Sequence, residues 1–318
     1  MIPGSIIYVV AVMLTSVCKE YYQFILCQGL VGGLSNGILF TAAMFTINHY
    51  FQKKRGIALG LVAVGSGLGG VLIPIILDQC FKSSKIGFGW GVRIVGFGML
   101  VALAISCAIV KDRLPPRKGP FFVLSAFSKP SYSLLTAGIF LLFWAVFLPF
   151  FFLTDYALNI VHMDSNLAFY MVSILNGTSL FGRITFGALS DKFGPKNVLA
   201  SVSLINGILI FCWTRAHTNA GLIGWTAVFG FFSGGQFGVF PSSIASVVPN
   251  PQFMGTYIGQ AVAVASLAAL TGSPLGGALI TNYGYFHATI FAGLSFIVGG
   301  TLVLAARFCH KPQLRAVA

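Results

Sequence analysis

Charge is scarce in this chain. Only 8% of its 318 residues are Asp, Glu, Lys or Arg, against about 25% in a water-soluble domain. A soluble fold this poor in charge has nothing with which to cover its surface. The acids number six, Glu20, Asp78, Asp112, Asp155, Asp164 and Asp191, and none falls in the middle of an apolar run. The cysteines, Cys18, Cys27, Cys80, Cys107, Cys212 and Cys309, form no C-x-x-C pair and show no metal-ligand spacing. The five histidines, His49, His162, His217, His287 and His310, lie at run ends or between runs and form no relay. The sequence therefore predicts no metal and no cofactor, and the lack of mid-run acids and of any His pair argues against an intramembrane acyl or prenyl transferase, which needs clustered His or Asp. The first apolar run lacks a basic leader and a small-residue cleavage site, so it reads as a membrane helix and not a signal peptide. The formal charge of +13 does not mark a nucleic-acid binder, because no basic stripe alternates with exposed aromatics.

What remains is apolar. Hydrophobic residues make up 57% of the chain, with 38 glycines and 31 phenylalanines, and the mean hydropathy is +0.90. A membrane-crossing helix needs about 20 apolar residues. Such runs occur roughly at 3–18, 22–49, 57–79, 90–110, 131–156, 166–189, 196–214, 220–247, 254–281 and 286–307. If the first runs outward from the cytosol, the cytosolic segments hold Lys53, Lys54, Arg55, Lys111, Arg113, Arg117, Lys118, Lys129, Lys192, Lys196, Arg307, Lys311 and Arg315. The other side holds Lys19, Lys82, Lys85 and Arg215, with Arg93 and Arg183 within or at the edge of a run. That bias obeys the positive-inside rule and puts both termini in the cytosol. The basic, proline-containing stretch 111–130 reads as a cytosolic linker. The expected organisation is a bundle at 1–110, that linker, a second bundle at 131–308 and a cytosolic tail at 309–318.

The two bundles echo each other. Residues 65–73 read GSGLGGVLI and residues 272–280 read GSPLGGALI, with seven of nine positions identical. A second echo sets Gly33 and Gly37 against Gly234 and Gly238. Glycine at i and i+4 lets a neighbouring backbone approach closely, so Gly33, Gly37, Gly65, Gly69, Gly234, Gly238, Gly272 and Gly276 are expected at helix–helix contacts. Internal repeats of this kind are a transporter signature, with the substrate site between the halves.

Three stretches carry a family pattern. Residues 187–196, GALSDKFGPK, resemble the major facilitator loop motif G-x-x-x-D-[RK]-x-G-[RK]-[RK], with Pro195 in place of a basic residue. The run FQKKRGIALGLVAVGSGLGGVLIPI at 51–75 and the run NGTSLFGRITFGALSDKFG at 176–194 are similar to the fifth and eighth helices of the monocarboxylate porter family, in its fungal branch. The resemblance implies an all-α integral membrane protein of the major facilitator fold, two pseudo-symmetric bundles of four and six helices that rock about a central site. It makes the ten runs helices 3 to 12, so that helices 1 and 2 are missing. It also implies a gate in which Asp191 meets the N-terminus of the fifth helix near Gly56, with Lys192, Gly187 and Gly194 completing the motif. Porters of the family carry a proton-coupling acid one turn before the arginine of the eighth helix; here that position is Ser179.

Among the runs, Arg183 is the clear intramembrane charge. A charge at that depth is costly and faces the interior, where a guanidinium can hold a carboxylate through two parallel hydrogen bonds. The competing reading is an arginine that snorkels to the rim or pairs with Asp191. Asn36, Asn176, Ser179, Gln236 and Tyr170 are the other candidate substrate contacts, with Gln260 behind them, although such groups also serve as helix–helix hydrogen-bonding residues. Phe147, Phe150, Phe151 and Phe152 crowd one half of a run; they face lipid, or they line the cavity and suit a bulky apolar substrate. The expected function is secondary transport of a monocarboxylate or related organic anion by alternating access, with coupling to protons left open by Ser179, in the plasma membrane or an internal membrane such as the vacuole's. The alternatives are efflux of a hydrophobic secondary metabolite, or a truncated protein that does not transport. Shifting the second half back by the repeat offset puts the counterparts of its first helix and of the loop motif before Met1, so the chain is expected to be incomplete at its N-terminus.

Overall fold

The computed structural model describes residues 1–51, 54–83, 87–110 and 122–310. The expected tail beyond 310, most of the expected linker, and Lys53, Lys85, Lys111, Arg113, Arg117, Lys118, Lys311 and Arg315 lie outside the described residues. Every regular element within them is helical. The helices are α1 (Ile2–Thr15), α2 (Tyr21–Phe24), α3 (Gly33–Tyr50), α4 (Arg55–Lys82), α5 (Gly87–Ile109), α6 (Pro130–Asn159), α7 (Ser165–Phe193), α8 (Pro195–Trp213), α9 (Asn219–Ala245), α10 (Met254–Tyr283) and α11 (Tyr285–His310). A π-helical stretch, Ile25–Gly32, joins α2 to α3 into one rod. Such widened turns are uncommon and often sit at functional places.

The apolar runs of the sequence become these rods because in lipid every backbone polar group must be satisfied within its own segment. Eight helices among the described residues are long and apolar enough to cross a membrane. The helix α1 is not one of them, at 14 residues; its run was expected to reach residue 18, but a turn begins after Thr15. Nor is α7, which has 29 residues but carries Asn176, Ser179, Arg183 and Asp191 along its length. A helix that polar is tolerated only inside a bundle.

Helix ends follow local chemistry. Asp164 caps α7, its carboxylate accepting from the backbone N–H of Asn166 at 3.0 Å and of Leu167 at 3.4 Å. Gly194 ends α7 at φ +85°, a conformation that a side chain resists, and Pro195 opens α8 at once.

The chain divides into two compact units, residues 1–50 with 72–117, and 51–71 with 118–318. In the first, α1 packs on α5 and on the rod of α2 and α3. Arg93 of α5 donates to Ser16 Oγ at 3.1 Å and lies over the Trp90 ring. These elements and the second half of α4 line an open cavity of about 510 Å³. In the second unit α7, α8 and α9 pack together, and α6 packs on α10 and α11. One end of this unit is closed by Trp213, Trp225, Tyr156 and Tyr285, with Trp213 and Trp225 stacked at 5.3 Å.

The glycine expectations divide. Gly272 of α10 meets the Trp144 backbone and Gly276 meets Leu148, both on α6. Gly234 and Gly238 of α9 meet the backbone of Ser179 and Arg183 on α7. For Gly33, Gly37 and Gly65 the packing expectation is corrected: nothing stands within 4 Å of where a Cβ would lie. On α4 the reason is helical phase. The face that meets α7 is Gly56, Gly60, Ala63, Gly67 and Gly70, and at 3.6 residues per turn Gly65 and Gly69 fall on the opposite side.

Candidate functional site

The site grows from the antiparallel seam between the first half of α4 and the second half of α7, both in the second unit. A Cβ on Gly56 would stand 2.5 Å from the Gly187 carbonyl oxygen, and one on Gly60 the same distance from that of Arg183. A Cβ on Gly70 would meet the Asn176 side chain at 2.6 Å. Only glycine permits two helices to lie this close.

One end of the seam is tied by Asp191. Its two carboxylate oxygens accept from the backbone N–H of Gly56, at 2.7 Å, and of Ile57, at 3.0 Å. These donors belong to the first turn of α4, where no intrahelical acceptor exists, and the helix dipole adds to the attraction. Gly187, one turn back, lets the backbones meet, and Ser190 Oγ bonds the Gly187 carbonyl at 2.7 Å. Lys192 is exposed and borders a groove with Phe186, Leu189 and Phe193. Gly194 is the turn that ends α7.

Two turns along α7 stands Arg183, only 4% exposed. Its Nη1 donates to the Ala63 carbonyl and, at 2.5 Å, to Ser66 Oγ, both on α4. Its guanidinium carbon lies 5.7 Å from the centre of the Phe237 ring. Its Nε is buried and has no hydrogen-bond partner. Neither reading of a snorkelling arginine nor of one paired with Asp191 describes this geometry, since both carboxylate oxygens of Asp191 are engaged by α4.

Phe237 of α9 belongs to an aromatic wall. Its ring centre is 5.8 Å from Phe143, 6.1 Å from Phe147 and 6.0 Å from Phe150, all on α6. These four rings are half-buried, so the wall keeps an open side. Phe151 touches the edge of the wall, its ring centre 6.1 Å from that of Phe147, but is 63% exposed, and Phe152 fills the space beside Gly277.

Other predicted contacts are not brought to this place. Ser179 is fully buried, and its hydroxyl bonds the Asn176 carbonyl at 2.7 Å. Gln236 is likewise fully buried and accepts from Asn206 of α8 at 3.4 Å. Both are turned into the packed core, because the glycines around them draw α7 and α9 together. Asn176 lies two turns from Arg183 and bonds the Val172 carbonyl at 3.0 Å. Tyr170 is about 20 Å from Arg183 along α7, its ring against Phe169. Asn36 lines the cavity of the first unit with Tyr8, Gln28 and Thr15. Ser66, Phe237 and Phe143 belong to this candidate site by contact and were missed by sequence reasoning. Phe237 sits between Gly234 and Gly238 and was hidden by their packing motif; Ser66 lies inside the repeated GSGLGG run.

The family model of the Major Facilitator Superfamily matches residues 1–213 and, again, 167–318. The aspyridones efflux protein of Emericella nidulans is 43% identical over 95% of this chain, which spans 62% of that relative's length. The agnestins efflux protein of Paecilomyces divaricatus is 37% identical over 98% of this chain and 71% of its own. Among solved structures, the human organic anion transporter MFSD10 superposes with a TM-score of 0.77 at 14% identity, covering 94% of this chain and 75% of that one. FucP in the outward conformation gives a TM-score of 0.74 at 18% identity, over 96% and 82%. At such identities these structures are alike in fold.

Proposed function

The chain belongs to the Major Facilitator Superfamily, and from that premise we propose that it exports a bulky hydrophobic organic acid by alternating access. It is a multi-pass membrane transporter by family. The substrate class rests on one observation: a buried guanidinium, Arg183, set against a wall of phenylalanine rings. The charge suits a carboxylate or another delocalised anion, and the wall suits an apolar body. The relatives named for efflux of aspyridones and of agnestins support export over uptake, and export of a metabolite favours the plasma membrane. A small monocarboxylate has less support, because the proton-coupling position holds Ser179, whose hydroxyl is spent on its own helix. In this reading the Asp191 clamp on α4 is the cytosolic gate, closed here and broken when the bundles rock, and 111–130 is the cytosolic linker between bundles.

The test is transport into inside-out vesicles carrying the protein, with a panel of labelled organic acids graded in size. Saturable accumulation of a bulky apolar acid, absent from vesicles without the protein, is expected. Saturable accumulation of lactate alone, or of nothing, contradicts the proposal.

A further inference from the structure

We infer that the site selects an aromatic anion and that Phe237 is the specificity-determining residue. The inference rests on the organic-anion reading above and narrows it.

Three observations converge. First, Arg183 is held in place without being used up. Its Nη1 is tied to Ala63 and Ser66 on α4, which fixes the plane of the guanidinium, while the buried Nε has no partner. An unpaired charged donor in so dry a place is costly unless a ligand satisfies it. Second, the same guanidinium lies over the Phe237 ring. An anion that pairs with this guanidinium is therefore carried beside that ring, and the body of the ligand lies against Phe237 and its neighbours. Third, Phe237 meets Phe143 and Phe150 edge to face, at 85° and 89°, and Phe147 at 52°. Rings set at these angles offer both edges and faces. An aromatic ligand complements them through its quadrupole, an advantage beyond buried area that an alkyl chain lacks. Arginine stacking on the same ring reinforces the arrangement.

The chemistry recognised is a planar, ring-bearing acid whose charge is attached close to the ring. Long-chain aliphatic acids carry the charge but not the complement, and neutral aromatic alcohols carry the ring but not the charge.

The experiment is equilibrium binding of labelled 2-naphthoate to the purified full chain in lipid nanodiscs, with octanoate and 2-naphthylmethanol as competitors. We expect naphthoate to bind about fivefold to tenfold more tightly than octanoate. Phe237→Leu is expected to lower naphthoate affinity about fivefold or more and octanoate affinity by less than about twofold, so that the preference is lost, and Phe237→Tyr, which keeps the ring, retains it. Equal affinity for naphthoate and octanoate in the unaltered protein, or equal loss of both in Phe237→Leu with Phe237→Tyr no better, overturns the aromatic assignment. Failure of the underlying reading looks different: the neutral alcohol then competes as well as the acids, or Arg183→Gln leaves naphthoate binding unchanged. No naphthoate binding at all also overturns the inference.

Discussion

At the scale of single residues, glycine decides where this protein can pack. A Cβ on Gly182 would run into the Phe231 carbonyl and one on Gly234 into the Ser179 carbonyl, in both cases backbone that cannot step aside. Gly182→Ala and Gly234→Ala are each expected to destabilise the protein by about 1–3 kcal/mol, the usual cost of overpacking. Gly224 and Gly259 have nothing within 4 Å, so alanine there is expected to be neutral or mildly stabilising, by up to about 1 kcal/mol. Thermal melting of the solubilised protein checks both groups; a drop of equal size in all four variants would count against the packing account. The residue scale also shows what sequence reasoning could reach. Gly234 and Gly238 were legible from their spacing alone. Gly33, Gly37 and Gly65 share that spacing but face open space, because spacing states that a face exists and not what lies against it.

At the scale of elements, the α4/α7 seam joins Arg183 to the Asp191 contact that is proposed as the gate. Asp191 supplies the acceptors for the first N–H groups of α4, and Arg183 ties the same helix two turns further on. Asp191→Ala is expected to speed amide exchange at Gly56 and Ile57 about tenfold, in line with the loss of a capping side chain, and to leave exchange within α9 unchanged. Asp191→Asn, which keeps an acceptor, falls between. Exchange at Gly56 no faster in Asp191→Ala than in the unaltered protein would show that the clamp does not hold α4. The rods themselves were legible, since apolar runs bounded by charge, glycine and proline leave little freedom in lipid. Of the seam, the meeting of Asp191 with the start of α4 near Gly56 was implied by the family resemblance, but its face was not legible. It needed the helical phase of Gly56, Gly60, Ala63, Gly67 and Gly70 and a partner more than a hundred residues away, and neither Ser66 nor Phe237 stands out in the sequence by type or spacing.

At the scale of the whole molecule, the uneven distribution of Lys and Arg predicts that both termini and the segment 111–130 face the cytosol. Single cysteines placed at Pro120 and at Ile160, in a background without the native cysteines, are expected to label from opposite sides of a sealed vesicle; labelling of both from one side contradicts the orientation. Arg183 is the proposed anchor for an organic anion, and transport by its variants in inside-out vesicles tests that role most directly. With the bulky acid that the unaltered protein accumulates as substrate, Arg183→Gln is expected to abolish saturable transport at normal protein yield. Arg183→Lys is expected to retain little, because a point charge cannot reproduce the planar fork. Saturable transport by Arg183→Gln with an unchanged KM would contradict the account.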